Sequence, residues 1–395
     1  MPSGPKRDGP RREQCPPRPR DPALRCRDAP FPHERPALDT SPLAIYPIVA
    51  GLLGGIGLFL LGMHMLTEGL KLAAGRALEG LLERGTATSV RGLGAGMTMT
   101  ALVQSSTAVT VASIGFVNTG LLSLQNAMWV IFGSNVGTTL NAWLVAALGF
   151  SFRIDAFALP FVGIGATLML AGRTVRQRAL GQALAGFGVL FLGIDALKDT
   201  FSGFGAAMNL QDHIAPGLVG WLILVGIGTL LTVLMQASGA VIAIIITAAQ
   251  GGLMSIEAAC AMVIGTNIGT TSTAILSALG ATSNARRVAA THVIFNLVTG
   301  AVAIALLPLL ISLLGALRNW FEQPATPAVM LAMFHTAFNL LGVLLMVPLA
   351  RPLRRYLAGH FRSREEEIAR PRYLDAPSLA VPDLALRTLR LELGR

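Results

Sequence analysis

Charge is what this sequence lacks. Only 13% of its 395 residues are Asp, Glu, Lys or Arg, against roughly 25% in soluble domains. Of its 31 Lys and Arg residues, 19 fall in residues 1–43 or 351–395, so the long middle has little with which to solvate a surface. That excludes an ordinary soluble domain. Cysteine is scarce too. Cys15 and Cys26 lie in an irregular N-terminal stretch and Cys260 lies in an apolar one, with neither metal-ligand spacing nor a disulfide framework. Residues 1–43 also lack the apolar stretch of a signal peptide. The net charge of +10 belongs to membrane edges, where basic residues set orientation and meet anionic lipid, and nucleic acid is set aside as a partner.

The chain has apolar length in abundance. Hydrophobic residues make up 53% of it and the mean hydropathy is +0.61. This composition predicts an all-α polytopic membrane protein. Seven stretches are long enough to span, at about 44–70, 121–148, 154–172, 179–200, 253–280, 288–315 and 329–350. Two further apolar stretches, about 93–118 and 217–250, carry Gln-x-Ser near their middle. A crossing helix needs about 20 residues, and the first of these stretches leaves only about a dozen on each side of its motif. A re-entrant helical hairpin fits better, since non-helical backbone at its tip is tolerated where it lines a wet cavity.

The centre of the chain is written twice. Gln104-Ser105-Ser106 and Gly133-Ser134-Asn135-Val136-Gly137-Thr138-Thr139 recur, at a constant offset of 132, as Gln236-Ala237-Ser238 and Gly265-Thr266-Asn267-Ile268-Gly269-Thr270-Thr271. Over residues 104–139, 14 of 36 positions match their counterparts. Gly55 through Gly62 also resembles Gly186 through Gly193 at an offset of 131, which aligns His64 with Asp195. Paired, polar, Gly-interrupted segments in two halves of an apolar protein point to a midplane binding site.

The positive-inside rule puts the Arg173/Arg176/Arg178 loop in the cytoplasm. With both hairpins re-entrant, the 71–92 linker, Arg286-Arg287 and the Arg351/Arg354/Arg355 cluster join it there. The two halves then form inverted-topology repeats. The basic residues 1–43, expected to be disordered, come out on the far side. Either they are not native, their start codon lying too far upstream, or they add a further element.

The chemistry of the motifs divides in two. A helix restarting after Ser105 presents open backbone N–H groups and the positive end of its dipole. With the hydroxyls of Ser105, Ser106 and Thr107, this makes an anion site without a fixed positive charge. Gln236, Ser238 and Gly239 repeat it. In the second element, Gly133 and Gly137 are expected to unwind a helix at mid-membrane, giving broken helices whose freed carbonyls, with Asn135, Thr138 and Thr139, are hard oxygen ligands for sodium. Asn267, Thr270 and Thr271 repeat that set. The alternative is packing, because Gly, Ser and Thr let membrane helices approach closely. Two copies in fixed register favour a binding role. The small repeat His292-x-x-x-Asn296 and His335-x-x-x-Asn339 could line a pathway or carry a proton, but is read first as hydrogen bonding that locks helices together.

At these residues the chain resembles the bacterial branch of the type II sodium–phosphate cotransporter family, over about residues 48–350. The resemblance implies two inverted repeats, two re-entrant hairpins and sodium-coupled movement of inorganic phosphate. It assigns phosphate to Gln104, Ser105, Ser106, Gln236 and Ser238. It also implies no enzyme activity, no cofactor and no metal other than sodium, and a multi-pass location in the inner (plasma) membrane. The second tip departs from the family pattern, since Ala237 and Gly239 stand where a run of Ser is usual. Residues 371–393 resemble the opening of a PhoU-like domain, with one helix at 383–393. The organisation expected is therefore a tail (1–43), a first transmembrane repeat (44–172), a second repeat with extra helices (173–350) and a cytoplasmic tail (351–395). Expected partners are phosphate, sodium, the lipid bilayer, and a second copy of the chain or a PhoU-like protein. Other readings are phosphate export, transport of another oxyanion, a membrane phosphate sensor acting through the tail, and an intramembrane serine hydrolase using Ser238 with His292 or His335.

Overall fold

The structure is a computed structural model that describes residues 42–75, 86, 88–151, 155–205, 217–320, 326–361 and 382–394. The expected tail at 1–43 lies almost wholly outside these residues. Every regular element among them is a helix. In chain order they are α1 (Pro42–Ala74), α2 (Ser89–Val103), α3 (Ser106–Asn118), α4 (Leu124–Ser151), α5 (Asp155–Ala171), α6 (Val175–Gly205), α7 (Leu218–Met235), α8 (Ser238–Gln250), α9 (Ile256–Gly269), α10 (Thr271–Ser277), α11 (Ser283–Ala305), α12 (Leu307–Trp320), α13 (Pro327–Gly359) and α14 (Pro382–Leu393). Seven of the described helical segments are long and apolar enough to cross a membrane. Their outer faces stay apolar, as at Leu222, Leu230 and Leu234 on α7 and Leu340 and Leu344 on α13. The protein is an all-α polytopic membrane protein.

The most extensive packing joins α1 to α6. A Cβ added at Gly62 would strike the backbone of Leu190, and one at Gly193 would strike that of Phe59. The glycines therefore let two antiparallel helices touch backbone to backbone, the device by which membrane helices gain dispersion contact without a hydrophobic driving force.

Each Gln-x-Ser segment forms a helix, a break and a second helix, α2–α3 and α7–α8. The first arm of each runs parallel to the long helix next in the chain after the hairpin. Gly92 lies against Asn126 and Trp129, Gly96 against Val130, and Gly137 against Met97 and Thr100. In the second copy Gly228 lies against Met262, Gly265 against Val225, and Gly269 against Thr229 and Thr232. Because α2 and α4 run the same way, as do α7 and α9, the chain must return between them, and α3 and α8 are return arms. The two hairpins enter from opposite ends. Asn118 at the end of α3 accepts the N–H of Thr282 at the start of α11 (2.9 Å), so α10 finishes at the end where α4 begins. The 22-residue path Ile256–Ser277 through α9 and α10, about 33 Å of helix, therefore starts at the other end, where α7 also starts.

Several expectations are corrected. The span at 154–172 is α5, 17 residues, while α7, expected as half of a hairpin, is itself long enough to cross. The span at 288–315 is two helices parted at Leu306. Pro308 has no N–H to give Ile304 and its ring crowds that carbonyl, which ends the ladder. The unwinding at Gly133 and Gly137 is absent, for α4 runs unbroken through both. The breaks fall at the Gln tips and, weakly, at Thr270. Finally, α13 continues to Gly359, past the boundary expected at 350.

Candidate functional site

Both tips stop their helices in the same way. Gln104 caps α2 with φ 57°, ψ 24°, and Gln236 caps α7 with φ 52°, ψ 23°. A non-glycine residue in this left-handed region carries about 1–2 kcal/mol of strain, and strain of this kind clusters where backbone geometry serves a site. Phe361 is the one other non-glycine residue with positive φ among the described residues. Each glutamine N–H closes back onto a threonine, Thr100 O (2.7 Å) and Thr232 O (2.8 Å). Each side-chain Nε2 also donates one turn back, to Ala101 O and to Val233 O (2.6 Å).

The next residues open a helix. Ser105 is the N-cap of α3, its Oγ accepting the N–H of Ala108 at 3.2 Å. The N–H groups of Ser106 and Thr107, in the first turn, have no upstream carbonyl to bond. At α8 the N-cap is Ala237, whose side chain caps nothing. Ala240 N–H turns instead to Ala237 O (3.1 Å), and Ser238 and Gly239 hold the corresponding open N–H groups. α8 is buried nearly all round, from Ala240 to Ala249, so its positive end is aimed from within the protein.

The two tips share one cavity of about 300 Å³. It is lined by Gln104, Ser105, Ser106 and Thr107 from the first tip and by Gln236, Ala237, Ser238, Gly239 and Ala240 from the second. All six residues read from sequence as anion ligands are thus brought together. Thr138 lines the same cavity. The other five expected cation ligands, Asn135, Thr139, Asn267, Thr270 and Thr271, are not among its lining residues.

Four hydroxyls of that second set donate to their own helices: Thr138 to Ser134 O (2.9 Å), Thr139 to Val136 O (2.8 Å), Thr270 to Asn267 O (2.6 Å) and Thr271 to Ile268 O (2.7 Å). Their lone pairs stay free to accept, so any oxygen cage here would use side chains rather than freed carbonyls. Asn267 is held by a network. Its Nδ2 donates to Asn339 Oδ1 (2.9 Å), and His335 Nε2 lies 3.2 Å from its Oδ1. His335 thus locks α13 to α9, as the structural reading of the small repeat expected. Both ring nitrogens of His292 are buried without a partner among the described residues. Neither histidine lines the cavity with Ser238, so the hydrolase reading loses both of the bases it named.

Three polar lining residues were missed from the sequence. His64 and Thr67 reach the cavity from α1. Asn141 stands between the tips, its Nδ2 3.5 Å from Gln104 O and 3.0 Å from where a Cβ on Gly239 would sit. Its counterpart at the same offset, Thr273, donates to Gln236 Oε1 at 2.5 Å. Gln104 Oε1, Asn141 Oδ1, Thr100 Oγ1 and Thr232 Oγ1 are buried without partners among the described residues. The shared offset of Asn141 and Thr273 was the available signal, hidden because the two residues differ in type.

A family model described as Na+/Pi-cotransporter matches residues 58–199 and 210–347. The chain belongs to the Na+/Pi-cotransporter family. Each matched region holds one glutamine tip, and the Na+/Pi-cotransporter match stops short of the segment read as PhoU-like. Among curated relatives, "Putative inorganic phosphate export protein YjbB" of Escherichia coli (strain K12) is 29% identical over 338 residues, covering 85% of this chain and 60% of the relative. Its Salmonella typhimurium counterpart is 28% identical over 348 residues, 87% of this chain and 62% of the relative. "Uncharacterized protein YqeW" of Bacillus subtilis is 29% identical over 302 residues, 76% and 94% respectively. The chain therefore spans about 60% of the length of the YjbB relatives it matches. No solved structure matches.

Proposed function

We propose that the protein is a secondary transporter that moves inorganic phosphate across the bacterial inner membrane, coupled to sodium. The observation that carries this reading is the shared cavity, into which two helix starts point from hairpins entering at opposite ends. Four open N–H groups, at Ser106, Thr107, Ser238 and Gly239, together with the serine and threonine hydroxyls, suit a tetrahedral oxyanion. Among the described residues no Lys or Arg lines the cavity. The anion is held by dipoles and neutral donors, so it can leave again. Hairpins inserted from opposite faces give each side of the membrane one movable wall of the site, which is what alternating access requires.

Sodium is assigned to the oxygen-rich side of each tip, Asn135, Thr138 and Thr139 in one copy and Asn267, Thr270 and Thr271 in the other. The partnerless oxygens of Gln104, Asn141, Thr100 and Thr232 support this, because buried acceptors without donors favour a cation. A cation there offsets the charge of the phosphate in a medium that penalises either ion alone. The YjbB relatives are named for phosphate export, which favours outward transport, so direction belongs to the test.

Purified protein in proteoliposomes, loaded with or bathed in radiolabelled phosphate, should show phosphate flux that rises with an imposed sodium gradient and reverses with it. Flux indifferent to sodium would overturn the coupling, and absence of phosphate flux in both directions would overturn the substrate.

A further inference from the structure

A second cavity, of about 380 Å³, lies where α2, α4 and α13 meet at the end from which the first hairpin enters. It is lined by Arg351 and Arg354 from α13, by Ser89 and by Gln125 and Trp129. Among the described residues no carboxylate lines it. Arg354 is already oriented, its Nη1 donating to Gln125 Oε1 at 2.5 Å.

Two helix starts add to this charge. Ser89 is the first residue of α2, where Thr88 Oγ1 takes only the N–H of Arg91 (3.3 Å). Gln125 is in the first turn of α4, where Ser123 Oγ takes only the N–H of Asn126 (3.2 Å). Each start carries about half a positive charge and open N–H donors. Arg351 makes no ion pair or hydrogen bond to a described residue. Two guanidinium groups and two dipole ends thus converge on one hollow with no counter-charge among its described lining residues.

We infer that this hollow is an anion site for a phosphate group, distinct from the cavity between the tips. The planar fork of arginine matches phosphate oxygens two at a time, and Ser89 and Gln125 offer further donors. The same chemistry arrives from two sources, the headgroup of an anionic phospholipid or free inorganic phosphate. The wall continues into apolar Met128, Val347 and Ala350, with Val347 exposed at the outer surface, where an acyl chain can lie. An anion held here ties the base of the first hairpin to α13 and so biases how freely that hairpin moves.

The experiment compares wild type, R351Q/R354Q and R355Q in detergent. The last removes an exposed arginine that does not line the cavity. Thermal stability and native mass spectrometry are followed against phosphatidylglycerol, phosphatidylcholine and inorganic phosphate. A phosphatidylglycerol response weakened about tenfold or more in R351Q/R354Q, and kept in R355Q, assigns the headgroup. The same pattern with inorganic phosphate assigns the free ion. Equal responses of wild type and R351Q/R354Q to both probes would overturn the site. The readout is the arginine-dependent difference, so it stands whether or not the tips also bind phosphate. Since both arginines are exposed, the double variant should fold, and its unliganded melting temperature checks that it does.

Discussion

At the scale of single residues, the two tips are the same device built to different standards. Ser105 and Ala237 share extended backbone, φ −148° and −145°, yet only Ser105 has a side chain to cap its helix. A serine at 237 would find its backbone already placed, and capping Ser in place of Ala is worth about 1 kcal/mol. Ala237→Ser should therefore raise the melting temperature. If its hydroxyl also reaches the anion, a hydrogen bond to a charged group is worth about 1.5–3 kcal/mol, and phosphate should bind about tenfold tighter in competition against arsenate and sulfate. A higher melting temperature with unchanged affinity would show that position 237 does not touch substrate. The motif residues Gln104, Ser105, Ser106, Thr107, Gln236 and Ser238 were legible because two copies kept one register. His64 and Thr67 were not, because they come from α1, whose match to the second copy is Asp195 rather than another histidine. Asn141 was not, because polar character was kept at its offset and identity was not.

At the scale of elements, the glycines of the duplicated motif do something other than what the sequence suggested. Glycine has two uses, freedom in φ and absence of Cβ, and a string of letters does not say which is in play. Here α4 is unbroken and the missing Cβ matters. A methyl at Gly133 would enter the Leu93 carbonyl, and one at Gly265 the Val225 carbonyl. Both atoms are backbone, so the hairpin arm itself must move. Gly265→Ala should cost about 1–3 kcal/mol or more and displace the tip, reducing transport and yield of folded protein together. Gly94→Ala is the control, with nothing within 4 Å of its Cβ, and should be neutral or gain the slightly better helix propensity of alanine. Thermal melts of the two variants side by side test this; equal stability would mean that α7 and α9 are not held backbone to backbone. The split of 288–315 has a similar lesson. Pro308 stood in the sequence, but the apolar run on both sides of Leu306 concealed that two helices share it.

At the scale of the molecule, the hairpins, their opposed entry and the shared cavity all lie between α1 and α13. The end of α13 is tied back to the bundle. Arg287 Nε donates to Leu357 O (3.0 Å) and His360 O (3.1 Å), so the end of α13 is clamped to α11 and must be kept. Beyond it, α14 buries no residue, and Leu384, Leu386, Leu389, Leu391 and Leu393 are exposed. One amphipathic helix cannot form a core alone, and no residue of α14 lines the cavity between the tips. Removing residues 362–395 while retaining His360 should therefore leave the sodium-dependent phosphate flux of proteoliposomes within about twofold of the full chain, because surface changes away from packed features usually stay within about 0.5 kcal/mol. Cutting earlier, after Arg351, also removes the carbonyls that hold Arg287, a residue only 5% exposed. Asn284 Oδ1 (2.7 Å) cannot replace those carbonyls, and a buried cation that loses acceptors is destabilising, so this shorter chain should lose folded yield as well as flux. Should the first truncation abolish flux while its melting temperature is unchanged, the tail would be part of the transport cycle, and the sensor reading would take the place of the simple carrier.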